Sequence, residues 1–192
     1  MERADAARNR ARILEAAGQL FAAKGAPNVT MDDIAKAAGV GRGTLYRRYP
    51  DRAAIATAML DEHEKALQEK LIGGEAPLGP GAPPAERLAA FYGAMVELLE
   101  AHAHLVLGAE TGQSRFTTGA YGFWRLHVRS LLVSAGMADP DALVEVALAP
   151  LAPEVYTHQR GERNLSPERI ATALAELAHR LLGERVPARR DA

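Results

Sequence analysis

The 192-residue chain contains no cysteine. That excludes a disulfide, a thiolate metal site and a cysteine nucleophile, and it fits a reducing compartment. No apolar run approaches the roughly 20 residues that span a bilayer. The opening residues, MERADAARNR, are charged and lead straight into a helical pattern, unlike a signal peptide. Aromatic residues make up only 5%, alternating strand-like polarity is missing, and no internal repeat is evident. Catalytic signatures are missing as well: there is no GxSxG elbow, Walker loop or HExxH, and no carboxylate pair beyond ordinary helix faces. These absences predict a soluble, cytoplasmic protein that is neither membrane-bound nor an enzyme and needs no cofactor. With 48% hydrophobic residues, the chain has enough to bury a core, as one compact domain or two small ones.

Its punctuation predicts an all-α fold. RARILEAAGQLFAAKG carries Ile13, Leu14, Ala17, Leu20 and Phe21 as one apolar stripe, closed by Gly25. A helix over 51–72 aligns Ile55, Met59, His63, Leu67 and Leu71 and forms the lever between two domains. The Gly- and Pro-rich stretch 73–84 interrupts any regular element and marks the boundary loop. A long amphipathic helix follows from Pro84 to about Leu107, then a loop over 108–119, then an apolar, aromatic helix from Tyr121 to Ala135. Asp139 and Pro140 start another helix, and Pro150 and Pro153 break it near 149–153. Ser166 and Pro167 start the last one, with Ile170, Leu174, Leu177 and Leu181 as its stripe and Gly183 as its stop. Residues 184–192 read as a loose tail.

The most informative segment is TMDDIAKAAGVGRGTLYRRYPDR, Thr30 to Arg52. Thr30 caps a first helix whose Met31, Ile34, Ala35 and Ala38 share one apolar face. Gly39 supplies the sharp exit, and Val40 plugs the corner. A second helix from Arg42 to Tyr49 turns Leu45 inward and leaves Arg42, Thr44, Tyr46, Arg47 and Arg48 outward. Pro50 ends it and Asp51 caps the next helix. This is the outline of a helix-turn-helix whose second helix offers hydrogen-bond donors to a DNA groove. A guanidinium can fork onto two guanine acceptors, so Arg42, Thr44, Tyr46 and Arg47, with Gly43 and Arg48 beside them, are the expected contact set.

In the order of these parts, over roughly its first quarter, the chain resembles the TetR family of bacterial transcriptional regulators. Two positions depart from the family pattern. Gly41 stands where serine is frequent, and Arg48 where tyrosine or histidine is frequent, so operator sequence does not transfer. The resemblance implies an N-terminal three-helix DNA-binding domain, here 1–52, joined by the 51–72 helix to a ligand-binding and dimerisation domain over 85–183. It also implies phosphate contacts from Thr30, Tyr49 and Arg52, with Tyr49 equally able to serve as a core tyrosine. It further implies a homodimer on a palindromic double-stranded DNA operator, paired through the segments around Asp139–Ala149 and Pro167–Leu182. Repression, released by a small effector, is the family's usual sign. Dimerisation is also the physical expectation, because one small reading head buries too little surface to be both tight and selective.

Charge supports a reading head. The chain's net charge is −1, but residues 1–52 carry +4 and the remainder −5. For the effector, Phe91, Met95, Tyr121, Trp124 and His127 lie where a mostly apolar cavity with a few polar tips is expected, and they predict an aromatic or otherwise apolar ligand. Glu100 and His104 share a helical face next to His102. Two ligands are too few for a metal, so none is expected. The competing readings are an all-helical enzyme, which gives no reason for cations between Arg42 and Arg52, and a DNA-binding protein without an effector.

Overall fold

A computed structural model of the chain describes residues 2–25, 28–109, 116 and 118–183, with the side chains of 2–4 and 103–109 excepted. The described elements are helices: α1 (Glu2–Lys24), α2 (Met31–Ala38), α3 (Arg42–Arg48), α4 (Arg52–Gly73), α5 (Pro84–Ala109), α6 (Gly119–Ser134), α7 (Pro140–Leu148), α8 (Pro153–Gly161) and α9 (Pro167–Leu182). No strand occurs among the described residues. Two compact units meet between His63 and Glu64, inside α4.

The first unit is built on one apolar cluster. Ile13, Ala16 and Ala17 of α1, Met31, Ile34, Ala35 and Ala38 of α2, Leu45 of α3 and Ile55 and Ala58 of α4 are buried together with Val29 and Tyr49. Leu14, Leu20, Phe21, Val40 and Met59 close its edges. Each large aliphatic side chain buried this way contributes about 1.5–3 kcal/mol, and the predicted helical spacing is what brings these side chains to one side. The start of α2 is a reciprocal cap. Asp33 N–H donates to Thr30 Oγ1 at 3.1 Å, while Thr30 N–H and its hydroxyl donate to the Asp33 carboxylate at 3.0 and 2.7 Å. Those bonds hold the Asp33 carboxyl below the usual carboxylate range. At the other end Gly39 adopts φ 59, ψ 40, and a Cβ there would stand 2.5 Å from Arg12 Nη2. The left-handed backbone calls for glycine, whereas the Arg12 guanidinium is the end of a flexible side chain and could move aside. Along α4, Ile55, Leu67 and Leu71 are buried and Met59 is half-buried, but His63 is exposed and drops out of the expected stripe.

In the second unit α5 packs most extensively on α9, and also on α6 and α8. Ser166 caps α9 by accepting from Arg169 N–H. The face that α9 buries is Ile170, Leu174, Ala178 and Leu182. The predicted stripe therefore divides: Ile170 and Leu174 point into the unit, Leu181 is half-buried, and Leu177 is 41% exposed. A helix buried every fourth residue leaves the intervening leucines on its flank. Pro150 and Pro153 act as expected: a 3-10 turn over Ala149–Leu151 ends α7 and α8 starts at Pro153. Two polar ties join α5 to this region. The buried Tyr92 hydroxyl donates to the Ala147 carbonyl at 2.8 Å, with its pKa pushed up to about 12 by burial. Arg160 grips Glu100 through Nε and Nη2, each at 2.9 Å, and the Tyr156 hydroxyl donates to the same carboxylate. The Arg160 guanidinium keeps that carboxyl below its ordinary range. In the loop before α5, a Cβ on Gly79 would lie 1.9 Å from the Gly74 carbonyl oxygen, so the tight return needs glycine.

Candidate DNA-reading head and ligand site

The recognition helix α3 is seven residues long, from a Gly41 cap without a side-chain hydrogen bond to a Tyr49 C-cap. Leu45 is its one buried residue. Arg42, Gly43, Tyr46, Arg47 and Arg48 are exposed and Thr44 is half-buried, so none of these six expected residues is taken into the core. Arg42 Nε is held to Asp32 at 2.8 Å in an exposed ion pair, an association worth roughly 0–1 kcal/mol and therefore easily exchanged for a phosphate. Arg47 Nε donates back to the Gly43 carbonyl at 3.1 Å. Arg48 Nη1 reaches the Ala6 carbonyl at 3.5 Å.

Three residues expected to grip phosphates sit differently. Tyr49 is only 5% exposed, and its hydroxyl accepts from Arg10 Nη1 at 3.4 Å. Arg10 Nη2 also holds Glu62 at 2.5 Å. Arg52 Nη1 donates to the Val29 carbonyl at 2.7 Å, and the hydroxyl of Thr30 is engaged with Asp33. Thr30, Tyr46 and Arg52 nevertheless border one open recess of about 590 Å³, together with Asn28, Asp32 and Asp51. Sequence reasoning missed the supporting layer from α1. Arg10 on Tyr49 and Arg12 on the Gly39 carbonyl, at 3.2 Å, fasten the turn from behind. In the sequence both were counted only as charge, because partners 27 and 39 residues away leave no local pattern.

Residues 13–59 match the family model described as bacterial regulatory proteins, tetR family. An HTH-type transcriptional regulator of Mycobacterium tuberculosis is 38% identical over 77 residues, 40% of this chain and 37% of that protein. One from Staphylococcus aureus is 49% identical over 53 residues, 28% of this chain and 29% of that protein. Residues 13–59 are thus a TetR-family segment within the first unit. The matches span well under half of these curated relatives. A solved transcriptional regulator from Saccharomonospora viridis, in complex with choline, has the same fold with a TM-score of 0.70 at 21% identity, covering 92% of this chain and 98% of that one.

In the second unit, the expected ligand residues fall into two groups. Phe91, Met95, Trp124 and His127 are buried. The Phe91 ring lies 5.9 Å from Trp124 and 5.3 Å from His127, both tilted. Tyr121 differs in burial and partners: it is half-buried, its hydroxyl donates to Glu145 at 2.6 Å, and Phe116 meets its ring edge-on at 5.1 Å. No helix of the described residues is long and apolar enough to cross a membrane. No group of three or more metal-ligating side chains occurs among the described residues, and the His104 side chain lies outside them.

Burial, and then the charge of Arg87, disfavour the imidazolium of His127 and push its pKa from 6.5 down to about 4. Between those values the unfolded chain binds this proton and the folded chain does not. The stability held above about pH 6.5 therefore falls as pH drops towards 4, by about 3 kcal/mol over the window. Urea unfolding followed by Trp124 fluorescence between about pH 7 and 4.5 is expected to show that slope, and His127→Gln to flatten it. An unchanged slope in the variant assigns the acid loss to other groups.

Proposed function

We propose that the protein is a ligand-responsive transcriptional regulator. It reads a palindromic operator as a homodimer through α3, represses there, and is released by a small, largely apolar or aromatic effector. The observation that carries this reading is α3 itself: a short helix anchored by Leu45 that leaves Arg42, Tyr46, Arg47 and Arg48 exposed. Residues 1–52 form the reading head, α4 links it to the rest, and 85–183 bind effector and partner copy. Two exposed apolar residues support pairing through the segments around Asp139–Ala149 and Pro167–Leu182. Val146 on α7 is 67% exposed and Leu177 on α9 is 41% exposed. Both elements bury their opposite faces, and unmatched apolar surface of this kind is what a partner covers. The choline held by the Saccharomonospora viridis neighbour supports a ligand site in this architecture.

Fluorescence anisotropy with the DNA upstream of the protein's own gene tests the reading. Arg47 bonds only the Gly43 carbonyl among the described residues, through Nε, which leaves its two Nη groups for a forked contact to guanine. Arg47→Ala is expected to weaken specific binding by about 10- to 100-fold and random-sequence binding far less. Arg52→Ala is expected to weaken both alike and to lower the salt slope by about 1. Equal losses on both DNAs for Arg47→Ala reduce that residue to a phosphate grip, and no salt-sensitive complex with the wild type defeats the proposal.

A further inference from the structure

We propose that Arg87 and His127 form an anion-accepting end of the effector site, so that the effector is an amphipathic acid, a carboxylate carried on an apolar body. The inference rests on the reading that the second unit binds an effector, and it supplies the ligand's charge.

Arg87 Nε and His127 Nε2 are among the buried side-chain nitrogens of this unit that have no hydrogen-bond partner among the described residues. A buried polar nitrogen left unsatisfied is costly, more so on a charged group, and a folded protein that keeps two of them together has a reason for it. Arg87 uses one nitrogen, Nη2, on the Leu71 carbonyl at 3.3 Å. Among the described residues no carboxylate pairs with it, whereas Arg125, Arg129 and Arg160 each hold an acid. The charge of Arg87 is felt at His127, so both nitrogens belong to one neighbourhood.

That neighbourhood continues directly into rings. Phe91 follows Arg87 by one turn of α5, and Met95 follows Phe91 by another, so all three share a face. Trp124 precedes His127 by one turn of α6, and its ring is 5.9 Å from that of Phe91. The arrangement is a polar end made of one cation and one neutral imidazole, followed by an apolar stretch of Phe91, Trp124 and Met95. His127 stays uncharged at neutral pH, so it adds a hydrogen bond without a second positive charge. A carboxylate satisfies both nitrogens and balances the charge of Arg87. A quaternary ammonium meets an unbalanced arginine instead, which sets this chain apart from its choline-bound structural neighbour.

The test uses the full chain and Trp124, its only tryptophan, as reporter. Octanoate, octanol and octyltrimethylammonium have the same tail and differ only in the head. Octanoate is expected to bind about tenfold or more tightly than octanol, as a charge-assisted bond warrants, and octyltrimethylammonium most weakly. In Arg87→Met the octanoate preference is expected to vanish while octanol affinity stays, and in Arg87→Lys part of the preference is expected to persist. Equal binding of octanoate and octanol to the wild type, a preference for the ammonium, or an undiminished octanoate preference in Arg87→Met overturns the anion inference and leaves the effector site standing. If none of the three changes Trp124 fluorescence of the folded protein, the effector reading falls with it.

Discussion

Leu45→Ala is expected to lower the stability of the first unit by about 2–5 kcal/mol and to abolish operator binding while leaving every proposed DNA contact in the chain. A helix of seven residues is too short to hold itself in water, and α3 has no side-chain cap at Gly41. Its place is fixed by Leu45, which is 0% exposed among Ile34, Ile55 and Ile13, and by the Tyr49 ring one turn later. Truncating Leu45 removes the only apolar side chain that the helix proper buries. Amide hydrogen exchange reads the result, because the amides of α2 and α3 are expected to lose protection together while α5–α9 keep theirs. Retained protection in α3 would show that the helix holds its place without Leu45 and overturn the anchoring role.

Phe91→Ala is expected to be the most damaging single change in the second unit, at about 3–5 kcal/mol. Phe91 is 0% exposed and meets Tyr92, Trp124 and His127 with ring centroids between 5.3 and 6.2 Å. Its removal forfeits both the transfer term and the ring contacts that tie α5 to α6, since neighbouring rings cannot collapse into a space of that shape. Trp124 lies in the same cluster, so urea unfolding followed by its fluorescence reports this unit alone. The midpoint is expected to fall with little change in slope. A loss under about 1 kcal/mol would mean that the space beside Phe91 is already open.

How much of this was legible in the sequence differs by region. Thr30, Gly39, Pro50, Asp139, Ser166 and the two prolines at 150 and 153 act through bonds made within a few residues, so their roles are written locally and the helices follow. The inward position of Leu45 and the outward arginines of α3 follow from helical spacing alone. Pairings made across distance were not readable in this way. The sequence shows Arg10 and Arg12 as charges, but whether they face solvent or fasten Tyr49 and Gly39 depends on how α1 lies against α2 and α3. The α9 stripe failed in part for a related reason: Leu177 and Leu181 fit the period as well as Ala178 and Leu182 do, and packing against α5 selected the second pair. Arg87 carries no local signal, because a lone arginine near a helix start is ordinary, and only the fold shows that no acid among the described residues pairs with it.

Arginines of the first unit that donate to carbonyls separate two quantities that a simple charge count merges. Arg12 donates to the neutral Gly39 carbonyl and Arg52 to that of Val29, and a carbonyl acceptor cancels no charge. Their field still reaches out over the roughly 8 Å that physiological salt allows. The pace at which a duplex is drawn in therefore depends on the whole cationic set, whereas how long it stays depends on the few guanidinium groups that α3 leaves free.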